Sequence, residues 1–192
     1  MKARYLEENE LEAIQGRMGE AAFLPFAVSL ETGLRIGDVL KLRHEDVRGG
    51  YIYFTAEKTN KAGKAKISRI TSRRLTEPNG SVYCFPGRDK RKHLTRQAAW
   101  QRLKRTCAKY GINAAGISPH SMRKVFGVEV YKNEGAEAAR RALQHNDLKT
   151  TEIYILSDWL TGNNANKPLV RADLARIVEE IFLILKMNVD KL

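Results

Sequence analysis

Four residues within one stretch, Ser118 to Tyr154, carry side chains suited to a single kind of chemistry: His120, Arg123, His145 and Tyr154. Arginine is permanently charged, and its planar donor fork matches the oxygens of a phosphate. A tyrosine phenol, with a pKa of about 10, can attack phosphorus and later leave again, storing the bond energy of the ester it displaced. Histidine can take up or hand on the proton that such a step moves. As a set they would suit phosphoryl transfer through a covalent phosphotyrosine. Singly, each has a commoner explanation: a helical histidine or tyrosine is usually a packing or surface residue, and an arginine a solvated charge. Spacing gives no support to zinc, since the histidines are far apart, no H-x-x-x-H pair exists, and Cys84 and Cys107 lie upstream without ligand-like spacing.

The elements around these residues would hold them in place. Ser118-Pro119 is a strong helix start, because the serine hydroxyl can cap free N–H groups and proline at the first helical position gives up no needed donor. On the helix that follows, His120 and Arg123 share a face, while Met122, Val125, Phe126 and Val130 have the spacing of a buried stripe. Gly135 breaks the pattern and Ala136 to Leu143 reads as a second short helix. After the polar stretch Gln144 to Thr150, a third short helix carries Tyr154.

The order H-S-M-R, then L-Q-H, then T-T-E-I-Y, with the block T-G-L-R-I-G-D-V-L-K-L-R upstream, resembles the tyrosine recombinase, or phage integrase, family. The resemblance spans roughly Glu20 to Tyr154. It implies an α+β, mainly helical catalytic-domain fold with a small antiparallel sheet or hairpin, and a site-specific recombinase or integrase acting on double-stranded DNA. In that family the arginine matching Arg35 is the first of two that grip the reacting phosphate, here with Arg123 as the second. An acidic residue three positions on, here Asp38, helps to order the site. A hairpin lysine is the general acid, best matched by Lys58 in E-K-T-N-K, with Lys61 and Lys64 as rivals. His120 and His145 would accept the proton of Tyr154 or bond the phosphate. The resemblance further implies a 3′-phosphotyrosine, a free 5′-hydroxyl, a Holliday junction and a tetrameric synapse. Neither a metal nor a cofactor is expected, because protein cations take that role.

Two features depart from the family pattern. Gln144 stands where the family commonly has glycine in L-G-H, which bears on how His145 is presented. Little chain precedes the first core helix, where the family usually places a helical DNA-clamping domain, so the expectation is an isolated catalytic domain or a short recombinase. Two other functions share the residues: DNA relaxation of the type IB topoisomerase kind, and a non-catalytic DNA-binding regulator. The presence of all six candidates argues against the second.

The rest of the chain reads as one domain, residues 1–192. Residues 1–19 are polar and read as a linker remnant leading into a first helix. Glu20 to Glu31 suits a core helix, with Pro25 early in it or marking its start, and Thr32-Gly33 ends it. Arg35 is then held between that helix and one over Ile36 to Leu42. Tyr51 to Thr55 has strand composition. The polar stretch Glu57 to Gly63 would turn the chain and Ala65 to Ile70 would return as the second strand. The basic run Arg88 to His93 leads to Thr95, an N-cap for a helix over Arg96 to Tyr110 with Ala99, Trp100, Leu103 and Cys107 inward. Candidate DNA contacts are Lys61, Lys64, Arg88, Lys90, Arg91, Lys92, Arg96 and Arg102. The link Gly162 to Lys167 precedes a terminal helix, residues 168–192, with an apolar stripe from Leu174 to Leu185.

Composition agrees with a nucleic-acid partner. Among 192 residues, 34 Lys+Arg against 22 Asp+Glu give a formal charge of +12, and each phosphate neutralised releases counterions. Two distant cysteines do not make a disulfide framework. The apolar run Ile181 to Leu185 is far shorter than the roughly 20 residues that span a bilayer. These features point to a cytoplasmic protein with no membrane partner, and the family resemblance implies a nucleoid-associated protein of a prokaryote or phage.

Overall fold

A computed structural model describes residues 3–144. His145, Tyr154, the polar stretch after Gln144 and the helix at 168–192 lie outside the described residues. The described elements run in the order α1 (Glu8–Met18), α2 (Glu20–Thr32), α3 (Ile36–Leu40), a 3-10 turn (His44–Asp46), β1 (Val47–Arg48), β2 (Tyr51–Ala56), β3 (Lys61–Lys66), α4 (Arg69–Thr76), α5 (Arg96–Lys109), α6 (Pro119–Glu134) and α7 (Ala136–Ala142). No described helix is long and apolar enough to cross a membrane.

The core is helical. Phe26 and Val28 of α2, Val39 and Leu40 of α3, Leu103 and Cys107 of α5 and Met122 of α6 are almost wholly withdrawn from solvent. Helix α6 starts where the capping signals put it: the Ser118 hydroxyl accepts from the His120 N–H, and Pro119 opens the first turn. Thr95 caps α5 by accepting from the Ala98 N–H.

Several expectations are corrected. The segment ahead of α1 packs onto the domain: Leu6 is fully buried, and the Arg4 guanidinium binds Glu10 at 2.8 Å and the Ala115 carbonyl at 2.7 Å. Helix α2 runs from Glu20 to Thr32 with Pro25 inside it, so Pro25 does not mark its start. The returning strand is Lys61–Lys66 rather than Ala65 to Ile70. Asn60 adopts a left-handed φ of 51°, and the Thr59 and Asn60 N–H groups donate to the Ala56 carbonyl, so the turn closes early. Ser68 then caps the unanticipated helix α4. The short β1 pairs with β2 through Val47 and Ile52, making a three-stranded antiparallel sheet in the order β1-β2-β3. Trp100 is exposed on α5, because the buried stripe runs Ala99, Leu103, Cys107 and Trp100 lies one residue off it.

Gly33 closes α2 with φ +68°, and a Cβ built there would lie 2.4 Å from the Phe126 ring of α6. Both the left-handed backbone and the close approach of α6 therefore require glycine. We predict that Gly33→Ala lowers unfolding free energy by about 2–4 kcal/mol, the sum of left-handed strain and overpacking. Urea denaturation read by circular dichroism measures it. A loss near zero would mean that α2 and α6 can move apart freely.

Candidate active site

Arg123 lies on the first turns of α6, only 4% exposed, and its guanidinium donates to two backbone carbonyls from distant parts of the chain. One is Gly33 O, two residues ahead of Arg35; the other is Leu143 O, two residues ahead of His145. A buried carbonyl without a partner is costly, so one side chain fixes both turns. Arg35 occupies the position just before α3, with extended backbone at φ −65° and ψ 138°. Its neighbour in the helix, Asp38, is buried.

Asp38 connects this corner to the hairpin. Its Oδ1 accepts from the Glu57 N–H at 3.1 Å, and Lys41 pairs with the Glu57 carboxylate at 2.8 Å. Glu57 opens the turn after β2, so the next residue, Lys58, is carried on a turn tied to α3. Lys58 is exposed there, whereas Lys61 and Lys64 sit on β3, the latter 5.2 Å from the Tyr51 ring. The Lys41 pairing holds the Glu57 carboxyl below the usual carboxylate range.

His120 reports the electrostatics of the place. Its residue is exposed, yet the surrounding chain desolvates the ring and the cations Arg123, Arg35 and Arg96 act on it, so its pKa falls below the ordinary 6.5. Desolvation is the largest of these causes, and all four disfavour the imidazolium. A neutral imidazole among fixed cations is fit to accept a proton or to bond an anionic oxygen. Arg96 comes here from the start of α5, its stem lying over Gly37, where a Cβ would meet it at 3.1 Å.

Arg35, His120 and Arg123 are thus brought together from α3 and α6, and Asp38 anchors the turn that bears Lys58. His145 and Tyr154 lie outside the described residues. The remaining candidate DNA contacts, Lys61, Lys64, Arg88, Lys90, Arg91, Lys92, Arg96 and Arg102, lie at the surface, Lys64, Arg88 and Lys90 among them. Within the basic run, Lys90 donates to the Asn79 carbonyl at 3.2 Å and Arg91 pairs with Asp89 at 3.0 Å. Two contributors escaped the sequence: Gly33 and Leu143 act through backbone carbonyls, for which no side-chain pattern exists. Arg96, expected only as a surface DNA contact, also acts on His120.

The phage integrase family model matches residues 4–159. The tyrosine recombinase XerD of Rhizobium meliloti (strain 1021) is 30% identical over 166 residues, which are 79% of this chain and 53% of that protein. The chain therefore spans about half the length of that relative. Among solved structures, a lambda integrase(75-356) dimer bound to a COC' core site superposes with a TM-score of 0.70 at 18% identity, covering 87% of this chain and 62% of the other. A lambda integrase tetramer bound to a Holliday junction gives 0.66 at 19% identity, covering 77% and 48%. At such identities the likeness concerns the fold.

The His120 environment has a measurable consequence. We predict an NMR titration midpoint for its ring below 6.5, moving upward in Arg35→Ala as one cation is removed. An unmoved midpoint would separate Arg35 from the His120 site. The sign for stability follows from proton binding. The unfolded chain holds this proton more tightly, so the contribution of neutral His120 is present above its ordinary pKa and is lost as pH falls through it toward the folded value. Arg123 needs a different substitution. Arg123→Ala would leave two carbonyls without their guanidinium and cost roughly 2–5 kcal/mol in urea denaturation. A loss under about 1 kcal/mol would mean that other groups replace it.

Proposed function

From the premise that this chain belongs to the phage integrase family of tyrosine recombinases, we propose that it acts as a site-specific DNA recombinase. It would cleave and rejoin double-stranded DNA through a 3′-phosphotyrosine. The observation that carries the proposal is the gathering of Arg35, His120 and Arg123 at one corner, with the Lys58 turn tied to the same corner through Asp38.

Arg35 and Arg123 would bind the non-bridging oxygens of the scissile phosphate, where negative charge grows as a fifth ligand approaches phosphorus. Tyr154 would attack, its Oη forming a bond to phosphorus while the bond from phosphorus to the 5′ oxygen breaks. The phenolic proton passes to His145 or His120, and Lys58 gives a proton to the departing 5′ oxygen. Charge and protons then balance, and the ester energy is retained in the phosphotyrosine. Attack by a 5′-hydroxyl reverses each transfer and releases Tyr154. Exchange between duplexes follows when that hydroxyl belongs to a second DNA. Self-association on DNA is part of the proposal, and the lambda integrase dimer and tetramer on DNA support it. Lys61, Lys64 and the basic residues from Arg88 to Arg102 would hold the backbone on either side.

A pool of nicked duplexes with randomised centres tests the reading whatever the target sequence is. Cleavage beside the nick releases a short fragment and traps protein on DNA. We predict a denaturation-resistant adduct formed in the presence of a metal chelator and absent in Tyr154→Phe, whose sequenced DNA defines the site. An adduct that survives this substitution, or one that requires magnesium, would remove the assignment. Lys58→Ala should slow cleavage at that site by about 10²-fold or more, the range of a general acid. A 5′-bridging phosphorothiolate, whose thiolate leaves unprotonated, should restore the rate. If Lys61→Ala or Lys64→Ala shows that rescue instead, the acid is on β3.

Binding should also fall steeply with salt, because a chain of charge +12 relies on phosphate contacts. Fluorescence anisotropy between about 50 and 200 mM salt is expected to show a loss on the order of 10³-fold for about six contacts. An affinity flat over that range would exclude such dependence.

A further inference from the structure

The end of α7 and the β2–β3 hairpin meet at a contact that this chemistry leaves unused. Gln144 adopts φ 51°, the left-handed region. That conformation costs a residue of its type about 1 kcal/mol relative to glycine. The backbone around it is otherwise regular, its N–H donating to the Arg141 carbonyl at 3.0 Å. The side chain crosses to β3. A Cβ built on Gly63 would meet the Gln144 amide nitrogen at 3.3 Å and the Phe54 ring at 2.8 Å. Gly63 is therefore the gap that admits both neighbours.

The other side of this contact cannot give way easily. The preceding residue, Leu143, is fully buried, and its carbonyl accepts from Arg123. Its side chain lies so close to Gly127 of α6 that a Cβ there would sit 2.8 Å away. Gln144 thus projects from a clamped turn onto the hairpin. The tethers through Asp38 and Lys41 hold the hairpin at Glu57, near its tip. Gln144 supplies a second support, farther down β3. Glycine at this position would relieve the backbone and abolish the support.

We propose that Gln144 is a positioning residue that braces the hairpin, and with it Lys58, against the turn leading to His145. The inference rests on the reading of Lys58 as general acid. It accounts for a strained residue where an unstrained one would fit, since strain persists where surrounding contacts over-determine it.

The test compares the full chain with its Gln144→Gly and Gln144→Met variants. Hydrogen exchange comes first and needs no DNA. In Gln144→Gly the Thr59 and Asn60 amides should exchange about tenfold faster, while Tm stays at or above the parent value because glycine suits the backbone. Gln144→Met, which keeps the length of the side chain, should retain most of the protection. Unchanged exchange in Gln144→Gly overturns the bracing whatever the DNA results. The second measurement is adduct formation on the selected nicked duplex, as ordinary phosphodiester and as 5′-bridging phosphorothiolate. We expect Gln144→Gly to be slower by about tenfold on the first, a modest misplacement, and to match the parent on the second. An equal deficit on both substrates overturns the link to Lys58, as does no deficit at all. Failure of the parent chain to form any adduct would instead dispose of the recombinase reading, and an unrescued Lys58→Ala would dispose of the general-acid assignment.

Discussion

The buried guanidinium of Arg123 is the constraint on which the rest depends. Its two carbonyl partners belong to turns that the chain reaches at very different points, after α2 and after α7. Helix α6 can present this arginine only because Ser118 and Pro119 start it at a fixed residue and because Met122 and Val125 seat it in the core. Gly33 permits the close approach, having no Cβ to meet Phe126. A cation that would serve a phosphate is therefore also a structural bolt.

A hierarchy of rigidity follows. The corner made by α2, α3 and α6 is held by core packing and a buried cation. Strand β2 buries Ile52 and Ala56 in that core, while the turn and β3 beyond it are tied back by polar contacts at Asp38 and Lys41 and by the Gln144 contact. Phosphate recognition would thus rest on the least deformable part of the fold. The proton donor would ride on a part that a few hydrogen bonds and one side-chain contact can shift. Elements with few buried apolar contacts open at lower free energy than the core does.

The starts of α5 and α6 are legible in the sequence because their signals are local. Ser118-Pro119 and Thr95 announce α6 and α5 by capping chemistry, and the T-G-L-R block ends one helix and begins another. The segments that differ from expectation lack such signals. Lys61 to Lys66 is built from lysine, alanine and glycine, poor strand formers, and becomes a strand because β2 pairs with it along its length. Helix α4 buries only Thr71 and Leu75, too thin a stripe to show as a period. The size of Trp100 suggests an inward side chain, whereas its register puts it outside. Burial of Arg123 is invisible in the sequence, since its partners are main-chain atoms.

Strand β3 forms one edge of the described sheet, and its composition bears on the life of the protein before it meets a partner. An outer strand offers a row of backbone donors and acceptors to any other extended chain, and such rows seed aggregation. Here Lys61, Lys64 and Lys66 interrupt it with positive charge, in a strand that has no bulky apolar side chain of its own. Two copies approaching edge to edge would repel one another. A polyanion would cancel that repulsion as it bound, so the charges that keep free molecules apart would cease to do so once several were gathered on one strand of nucleic acid.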